Sequence, residues 1–226
     1  MLVAEGVSMI PLKIGGFTLH PTLIWDDSTA ILIDTGMPGQ SEQIKEVISK
    51  IGVPMERIHS VILTHQDMDH IGALPALVHE LGTGFTVYAH EFDKPYIEGE
   101  RPLLKLELPE ELQHLVDNPP KIKIDHILNE GDELPCFGGI RVIFTPGHTP
   151  GHISLYLKQS KILIAGDALH SVNGELKAPT SQTTPDLPLA LKSLSEFLDY
   201  DIDKVICFHG GLCTNRVNEQ IRALIP

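Results

Sequence analysis

Apolar and polar positions along the amino-terminal part of the chain predict short strands followed by amphipathic helices. Isoleucine and valine recur at helical spacing between Pro38 and Gly52, which predicts a helix that ends at the glycine. Apolar residues at 71, 74, 77, 78 and 81 predict a second helix that begins near Gly72. The strands predicted in this part cover residues 2–13, 17–25, 30–33, 58–63 and 85–89.

The carboxy-terminal part repeats this organisation after a segment of different character. Residues 91–120 combine proline with many leucines, and they predict an insertion with a short helix at 110–116. Residues 171–184 predict a polar loop. The strands predicted here cover residues 123–127, 140–145, 154–157, 161–165 and 204–208. The helices are one from Thr184 with Leu187, Leu191, Leu194 and Leu198 inward, and one over 214–225.

Two runs of strands, each followed by helices, indicate the fold class. This order favours an α+β fold over a doubly wound parallel sheet, namely an αββα sandwich of two mixed β-sheets flanked by helices. The chain has 226 residues, of which 42% are hydrophobic, and that is enough for one large domain with its own core. We therefore expect a single domain over residues 1–226, with an insertion at about 91–120.

Charge and cysteine content narrow the classes of partner. The net charge is −13 and the 17 Lys and Arg residues are scattered, which argues against nucleic acid and against an anionic membrane surface. Three cysteines without a CxxC spacing are typical of reduced thiols. The sequence has no recognisable signal peptide and no apolar run of membrane-spanning length. We therefore expect a cytoplasmic protein with a small-molecule substrate.

The segment Thr64-His65-Gln66-Asp67-Met68-Asp69-His70 carries the strongest chemical signal in the chain. Four of its seven side chains can bind a metal ion, and it lies on a turn between a predicted buried strand and a helix. The alternative is a polar turn with Asp69 as the helix N-cap. Capping explains one aspartate, but it does not explain two aspartates flanked by two histidines. The pattern predicts two neighbouring metal sites, each still short of ligands.

Three further loops share the same design, in which an apolar strand ends in a residue that can bind a metal. The strand over 140–145 runs into Pro146-Gly147-His148-Thr149-Pro150-Gly151-His152. The strand over 161–165 runs into Gly166-Asp167 and then His170, and the strand over 204–208 runs into His209. Loops at strand ends are where a rigid scaffold presents functional groups. Each loop alone is weak evidence, but four in one chain indicate a metal centre.

With these motifs, the chain resembles the metallo-β-lactamase superfamily over nearly its full length. The resemblance implies an αββα fold with a site for two divalent metal ions. It also implies that Asp34 supports this site by orienting a ligating histidine, and that His152 is structural. The implied ligands are His65, Asp67 and His148 for the first metal, Asp69, His70 and His209 for the second, and Asp167 as the bridge.

One departure from the family pattern bears on the metal. The family has histidine where this chain has Asp67, in the pattern H-x-H-x-D-H. A carboxylate there makes the first site harder, which favours manganese or iron relative to a site made only of imidazoles. Flavodiiron members also carry a carboxylate at this place, but this chain lacks their flavodoxin domain. Zinc is the first expectation, because aspartate oxygen is an accepted zinc ligand, and manganese and iron are the alternatives.

The expected function is hydrolysis of a small ester-like bond, such as a lactone or a thioester. Two metals about 3.5–4 Å apart can share a hydroxide that attacks the substrate, with Asp69 placed to take the proton. In superfamily lactonases a tyrosine occupies the place of His170, which could act here as an acid or hydrogen-bond donor. The alternatives are an iron-dependent redox or sulfur-oxidising enzyme and a phosphodiester hydrolase. Residues 91–120 could line an acyl site, or pack in the core or a homodimer.

Overall fold

The computed structural model describes residues 1–82, 86–104 and 119–226. The helices are α1 (Ser41–Ile51), α2 (Met68–Ile71), α3 (Leu74–Leu81), α4 (Lys94–Ile97), α5 (Leu187–Ser193) and α6 (Val217–Leu224), with 3₁₀ turns at Met55–Arg57 and Leu194–Asp199. The strands are β1 (Leu2–Ala4), β2 (Val7–Met9), β3 (Leu12–Ile14), β4 (Phe17–Leu19), β5 (Thr22–Trp25), β6 (Ala30–Ile33), β7 (Ile58–Ile62), β8 (Thr86–Ala89), β9 (His126–Ile127), β10 (Glu133–Leu134), β11 (Ile140–Phe144), β12 (Ile153–Leu157), β13 (Ile162–Ile164), β14 (His170–Val172), β15 (Glu175–Lys177), β16 (Lys204–Cys207) and β17 (Gly211–Cys213).

Most of these strands form two mixed sheets. The first has the order β1-β2-β5-β6-β7-β8-β9, and the second has the order β10-β11-β12-β13-β16-β17. Strands β6 to β9 are parallel to one another, as are β13 and β16, whereas the other neighbours pair antiparallel. Both sheets are therefore mixed, as predicted.

Alternation along the strands creates three apolar layers. In β6, Leu32 packs towards α1 and α3, whereas Ile31 and Ile33 pack between the sheets. In β13, Leu163 packs towards α5 and α6, whereas Ile164 faces the first sheet. Successive side chains of a strand point to opposite faces, so a sheet with apolar residues on both faces must be covered on both. The αββα sandwich predicted from the order of elements is confirmed.

Four sequence predictions are corrected by the structure. The run over 17–25 is not one strand, because β4 pairs with β3 in a separate two-stranded sheet whereas β5 belongs to the first large sheet. The run over 2–13 is broken at Gly6, which has a φ of +68° and whose added Cβ would lie 2.4 Å from the carbonyl oxygen of Trp25. Residues 171–184 are not wholly a loop, because β14 and β15 form a hairpin through Asn173-Gly174. Leu198 does not point inward, since it lies in a 3₁₀ turn and its side chain is 42% exposed.

The segment at 91–120 is described only in part. Its described residues include the short helix α4, and the predicted helix at 110–116 lies outside the described residues. Among the helices of the described residues, none is long and apolar enough to cross a membrane.

Candidate metal centre

The predicted ligands come from strand ends that meet at one edge of the sandwich. Parallel pairing of β6 and β7 brings Asp34 and the loop that begins at His65 to the same edge of the first sheet. In the second sheet, β11 and β13 are both antiparallel to β12, and β16 is parallel to β13. Their carboxyl ends therefore also share an edge, and the loops that follow carry His148, Asp167 and His209.

The first group consists of His65, Asp67 and His148. Oδ2 of Asp67 lies 3.6 Å from Nε2 of His65 and 3.2 Å from Nε2 of His148. Both histidines are buried, and Nδ1 of His148 lies 3.2 Å from the Thr184 hydroxyl. With Nδ1 of His148 engaged in this way, its imidazole directs Nε2 towards the Asp67 carboxylate.

The second group consists of Asp69, His70 and His209. Oδ2 of Asp69 lies 3.2 Å from Nε2 of His209 and 3.9 Å from Nε2 of His70. His70 is fully buried, whereas the side chain of His209 is 36% exposed. Asp69 is not the N-cap of α2, because it lies within the first turn and Asp67 precedes the helix. The second group is therefore the more open of the two.

Asp167 lies between the two groups, as the bridging role requires. Its Oδ2 is 3.2 Å from Nε2 of His148 and 3.3 Å from Nε2 of His209. Its Oδ1 is 3.4 Å from Nε2 of His70. A single carboxylate therefore contacts one histidine of the first group and both histidines of the second.

The cluster fits transition-metal ions. Within each of the three groups His65/Asp67/His148, Asp69/His70/His209 and His65/His70/Asp167, the ligand atoms lie within 4.8 Å of one another. Nε2 of His65, Nε2 of His70 and Oδ1 of Asp167 are buried and have no hydrogen-bond partner among the described residues. A buried polar atom without a partner is costly, and a cation among these atoms would supply the partner. Imidazole and carboxylate donors suit zinc, manganese and iron.

Two side chains behind the cluster orient its histidines. Oδ2 of Asp34 lies 2.9 Å from Nδ1 of His70 and accepts a hydrogen bond of 2.8 Å from the Thr64 hydroxyl. That hydroxyl lies 3.0 Å from Nδ1 of His65. Because the hydroxyl hydrogen is directed at Asp34, its oxygen accepts from His65. Both imidazoles therefore carry hydrogen on Nδ1 and keep Nε2 for a metal, which is the role that the resemblance implied for Asp34.

Charge in the metal-free cluster is arranged for cation binding. Burial opposes charge on Asp167, but His209 and His70 hold the pKa of this carboxyl well below its usual range. Burial lowers the pKa of His209, but Asp167 and Asp69 outweigh it and raise the pKa to about 10. Burial and the neighbouring His70 lower the pKa of His65 to about 4. The cluster thus contains ionised carboxylates whose countercharge is supplied by protons that a metal ion would displace.

His152 has the structural role expected for it. Its Nε2 accepts a hydrogen bond of 2.9 Å from the backbone N–H of Asp167, and its Nδ1 lies 2.8 Å from the Thr145 hydroxyl. Burial, together with the neighbouring His65 and His148, keeps its pKa well below the usual range, so the ring is neutral. A ring whose Nε2 accepts from the backbone has no nitrogen left for a metal, and His152 instead holds Asp167 in place.

His170 lies beside the cluster but not within its groups. It begins β14, and its ring centroid is 5.7 Å from that of His209. The backbone N–H of Ser171 donates to the His209 carbonyl at 2.9 Å, which fixes β14 against the His209 loop. Nε2 of His170 is buried and has no hydrogen-bond partner among the described residues.

Two buried residues that support the first group, Asp93 and Gln66, were not predicted from the sequence. Asp93 follows β8 and accepts hydrogen bonds from the backbone N–H of Gln66, the hydroxyl of Thr149 and the backbone N–H of Gly151. It thereby joins the two loops that carry His65, Asp67 and His148. The sequence signal for Asp93 was its position as another polar residue in a loop after a strand. Gln66 had no signal of its own, because it lies between two candidate ligands.

A paired histidine–aspartate cluster at the edge of an αββα sandwich is typical of a class of metal-dependent hydrolases. The similarity of the chain to known proteins agrees with that class. The chain belongs to the Metallo-beta-lactamase superfamily, which residues 16–209 match. The protein is a metal-dependent hydrolase of this family.

Individual relatives are similar at a moderate level. The chain is 32% identical over 203 residues to the probable metallo-hydrolase YflN of Bacillus subtilis (strain 168), covering 80% of this chain and 75% of YflN. It is 29% identical over 167 residues to the hydroxyacylglutathione hydrolase GloC of Haemophilus influenzae, covering 72% of this chain and 71% of GloC. The crystal structure of TTHA1623 in a di-iron-bound form superposes with a TM-score of 0.67 and 26% identity, covering 90% of this chain and 93% of that one.

Proposed function

We propose that this protein is a dinuclear metal-dependent hydrolase of a small ester-like substrate, a thioester or a lactone. The observation that carries the proposal is the position of Asp167, whose carboxylate lies within 3.2–3.4 Å of histidines from both groups. One metal would be held by His65, Asp67 and His148, and the other by Asp69, His70 and His209, with Asp167 shared. Zinc is our first expectation, with manganese or iron as alternatives.

Bound metal ions would supply an activated hydroxide and polarise the substrate oxygen. Asp69 is the proposed acceptor of the proton from the attacking nucleophile. Its carboxylate lies beside His209 and its side chain is 27% exposed, so one of its oxygens can take up that proton. Asp34 and Thr64 keep the Nδ1 hydrogens of His70 and His65 in place during the reaction. Asp69 is therefore assigned two roles, as ligand and as base.

His170 is proposed to act on the substrate rather than on the metal. Its buried Nε2 has no hydrogen-bond partner among the described residues, although the ring lies beside His209. Burial lowers the pKa of His170, although Asp167 opposes this, so the neutral imidazole is favoured. A neutral imidazole donates one hydrogen bond, which is suited to a developing oxyanion or to a leaving-group oxygen or sulfur.

The activity named for one relative and the net charge of the chain favour a thioester or a lactone as the substrate. GloC is a hydroxyacylglutathione hydrolase, and its substrate is a thioester. The net charge of −13 gives no electrostatic support for binding a phosphate backbone. Two residues of the segment at 91–104 contact Gln66, the neighbour of His65 and Asp67: Asp93 accepts from its backbone N–H, and the backbone N–H of Leu104 donates to its side chain. We propose that this segment contacts the acyl part of a substrate.

The second candidate function is an iron-dependent redox or sulfur-oxidising reaction. Two observations favour it, namely the carboxylate of Asp67 in place of an imidazole and the similarity to TTHA1623, which is described with two bound irons. The same ligands would serve both reactions, so the metal and the substrate distinguish them.

The experiment is metal analysis followed by a substrate panel. Purified protein is expected to contain near two equivalents of transition metal and to hydrolyse a thioester or a lactone, with loss of activity after chelation and recovery on adding metal back. A phosphodiester and a persulfide with oxygen are the comparison substrates. Protein that binds no metal after metal-replete expression would falsify the proposal, and turnover of the persulfide alone would favour the second candidate.

Several sequence expectations remain predictions. They are a cytoplasmic location, a single domain over 1–226, a small-molecule substrate without nucleic-acid or membrane partners, and a homodimer contact through 91–120 as an alternative to an acyl site. Salt-sensitive binding to nucleic acid would contradict the expected partners.

A further inference from the structure

Gln66 lies between two candidate ligands, and its side chain is fully buried. Its Nε2 donates a hydrogen bond of 2.6 Å to Oδ1 of Asp67, and its Oε1 accepts a hydrogen bond of 2.8 Å from the backbone N–H of Leu104. A backbone N–H can only donate, so the amide oxygen must face Leu104. The Nε2 donor must therefore face Asp67, and the orientation of the amide is fixed.

The two oxygens of Asp67 consequently have different surroundings. Oδ1 is engaged by Gln66, whereas Oδ2 lies 3.6 Å from Nε2 of His65 and 3.2 Å from Nε2 of His148. We propose that Gln66 is a positioning residue of the first site, which holds Oδ1 of Asp67 so that Oδ2 alone is directed at the metal. This inference rests on the proposed metal centre.

The backbone of Gln66 is held as firmly as its side chain. Its N–H donates to Oδ2 of Asp93 at 3.0 Å, and Asp93 also accepts bonds of 2.6 Å from Thr149 and from the backbone of Gly151. A Cβ added to Gly151 would lie 2.5 Å from the backbone nitrogen of Asp93, so the close approach requires glycine. Gln66 is therefore fixed relative to the loop that carries His148, and it can set the direction of Asp67.

A second explanation is that Gln66 merely tethers Leu104. The two roles predict different results, because a tether acts on the segment at 91–104 and would alter the Michaelis constant alone. A positioning role acts on Asp67 and would alter metal binding even without substrate. Residues that support ligands in this way contribute about 10–100-fold to metal affinity.

The test compares Gln66→Met with Gln40→Met, both in a His209→Ala background that weakens the second site by removing one of its ligands. Gln40 is a matched control, since it is also buried, accepts from the backbone N–H of Met37 at 2.8 Å and donates to the Lys13 carbonyl at 3.2 Å. Metal affinity is measured by competition with a chromogenic chelator, and the cobalt-loaded proteins are compared by visible absorption. Gln66→Met is expected to lose affinity about 10–100-fold and to change the cobalt spectrum, whereas Gln40→Met changes neither.

A second variant keeps the result interpretable if Gln66→Met does not fold. Gln66→Asn keeps a polar amide but is too short to reach Asp67 and Leu104 together, so the same loss is expected. Unchanged affinity and an unchanged cobalt spectrum in a folded variant would overturn the inference. It would also be overturned if Gln66→Met, made in the otherwise wild-type enzyme, changed the Michaelis constant and left metal affinity unchanged. Wild-type protein that binds no metal would overturn the proposed centre and this inference with it.

Discussion

Oδ2 of Asp34 lies 2.9 Å from Nδ1 of His70, and both side chains are buried. Oδ1 of Asp34 accepts the backbone N–H of Thr64 at 2.9 Å, so the carboxylate is held from both sides. Asp34 has a φ of +59°, a left-handed conformation that aspartate and asparagine tolerate better than most residues. The contact fixes the imidazole of His70 with Nε2 towards Asp69 and Asp167.

Asp34→Asn is predicted to weaken metal binding at the second site about 10–100-fold. Asparagine has nearly the same shape and accepts the same φ. Its NH₂ group, however, must face either the Thr64 N–H or the Nδ1 hydrogen of His70, so that two hydrogen-bond donors would meet and one hydrogen bond would be lost. Isothermal titration of metal into the metal-free variant measures the effect. Asp26→Asn is the control, because Asp26 also accepts backbone N–H groups but in a turn that contains no candidate ligand. Equal loss in both variants would contradict a specific role.

Asp67→His is predicted to shift the first site towards zinc. The change replaces a hard oxygen donor with an imidazole, and donor type together with geometry sets metal selectivity. Competition between zinc and manganese, followed by metal analysis, measures the preference. The activity of the manganese-loaded variant should also change. The idea fails if wild type and variant show the same preference.

His170→Ala is predicted to reduce turnover on the order of a hundredfold while leaving both metals bound, as expected for the loss of an acid or hydrogen-bond donor. Asp167→Ala should instead reduce metal content, because Asp167 contacts histidines of both groups. His59→Ala, a change at an exposed position on β7, is the control. Metal analysis and a pH–rate profile on one substrate check these outcomes. Unchanged turnover across pH would remove His170 from the mechanism, and a lost metal would make it a ligand.

Asp93→Asn is predicted to remove part of the pH dependence of stability. Burial raises the pKa of Asp93 to about 6, although bonds from Thr149 and Gly151 lower it. The unfolded chain releases this proton near its ordinary value of 3.8, so the folded state binds more protons between the two values. Stability therefore falls as pH rises through this window, by on the order of 2–3 kcal/mol.

The measurement is the free energy of unfolding of metal-free protein at pH 4, 5, 6 and 7. Groups common to both proteins cancel in the difference between wild type and Asp93→Asn. The advantage of the wild type should narrow as pH rises from about 4 to about 6. A difference that is constant over this range would show that Asp93 does not keep a raised pKa.

The layers of the fold were predictable because apolar runs mark the strands and their ends. The order of strands was not, because pairing depends on contacts between distant residues. Asn173-Gly174 was a readable hairpin signal that the polar character of its surroundings obscured. Leu198 was misplaced because a 3₁₀ helix has three residues per turn, so the inward face shifts to the fully buried Phe197.

The candidate ligands were predictable as residues that follow strands, and the structure brings all seven together. The hydrogen bonds that hold the ligand loops in place were not predictable in the same way. Asp93 reaches Gln66 across 27 positions and Gly151 across 58 positions, and no local pattern records such contacts. The side chain of Gln66 meets Leu104 across 38 positions. Long-range hydrogen bonds of this kind become visible only when the chain is folded.

Both halves of the chain contribute to each proposed site. His65, Asp67, Asp69 and His70 follow β7 of the first sheet, whereas His148, Asp167 and His209 follow strands of the second. Metal ions at this edge would therefore cross-link the sheets as a disulfide links two segments. Two separately expressed fragments, cut within the segment at 91–120, should bind metal only after they associate. Metal uptake would then report the association of the two fragments, and the concentration of free metal would set the stability of their complex.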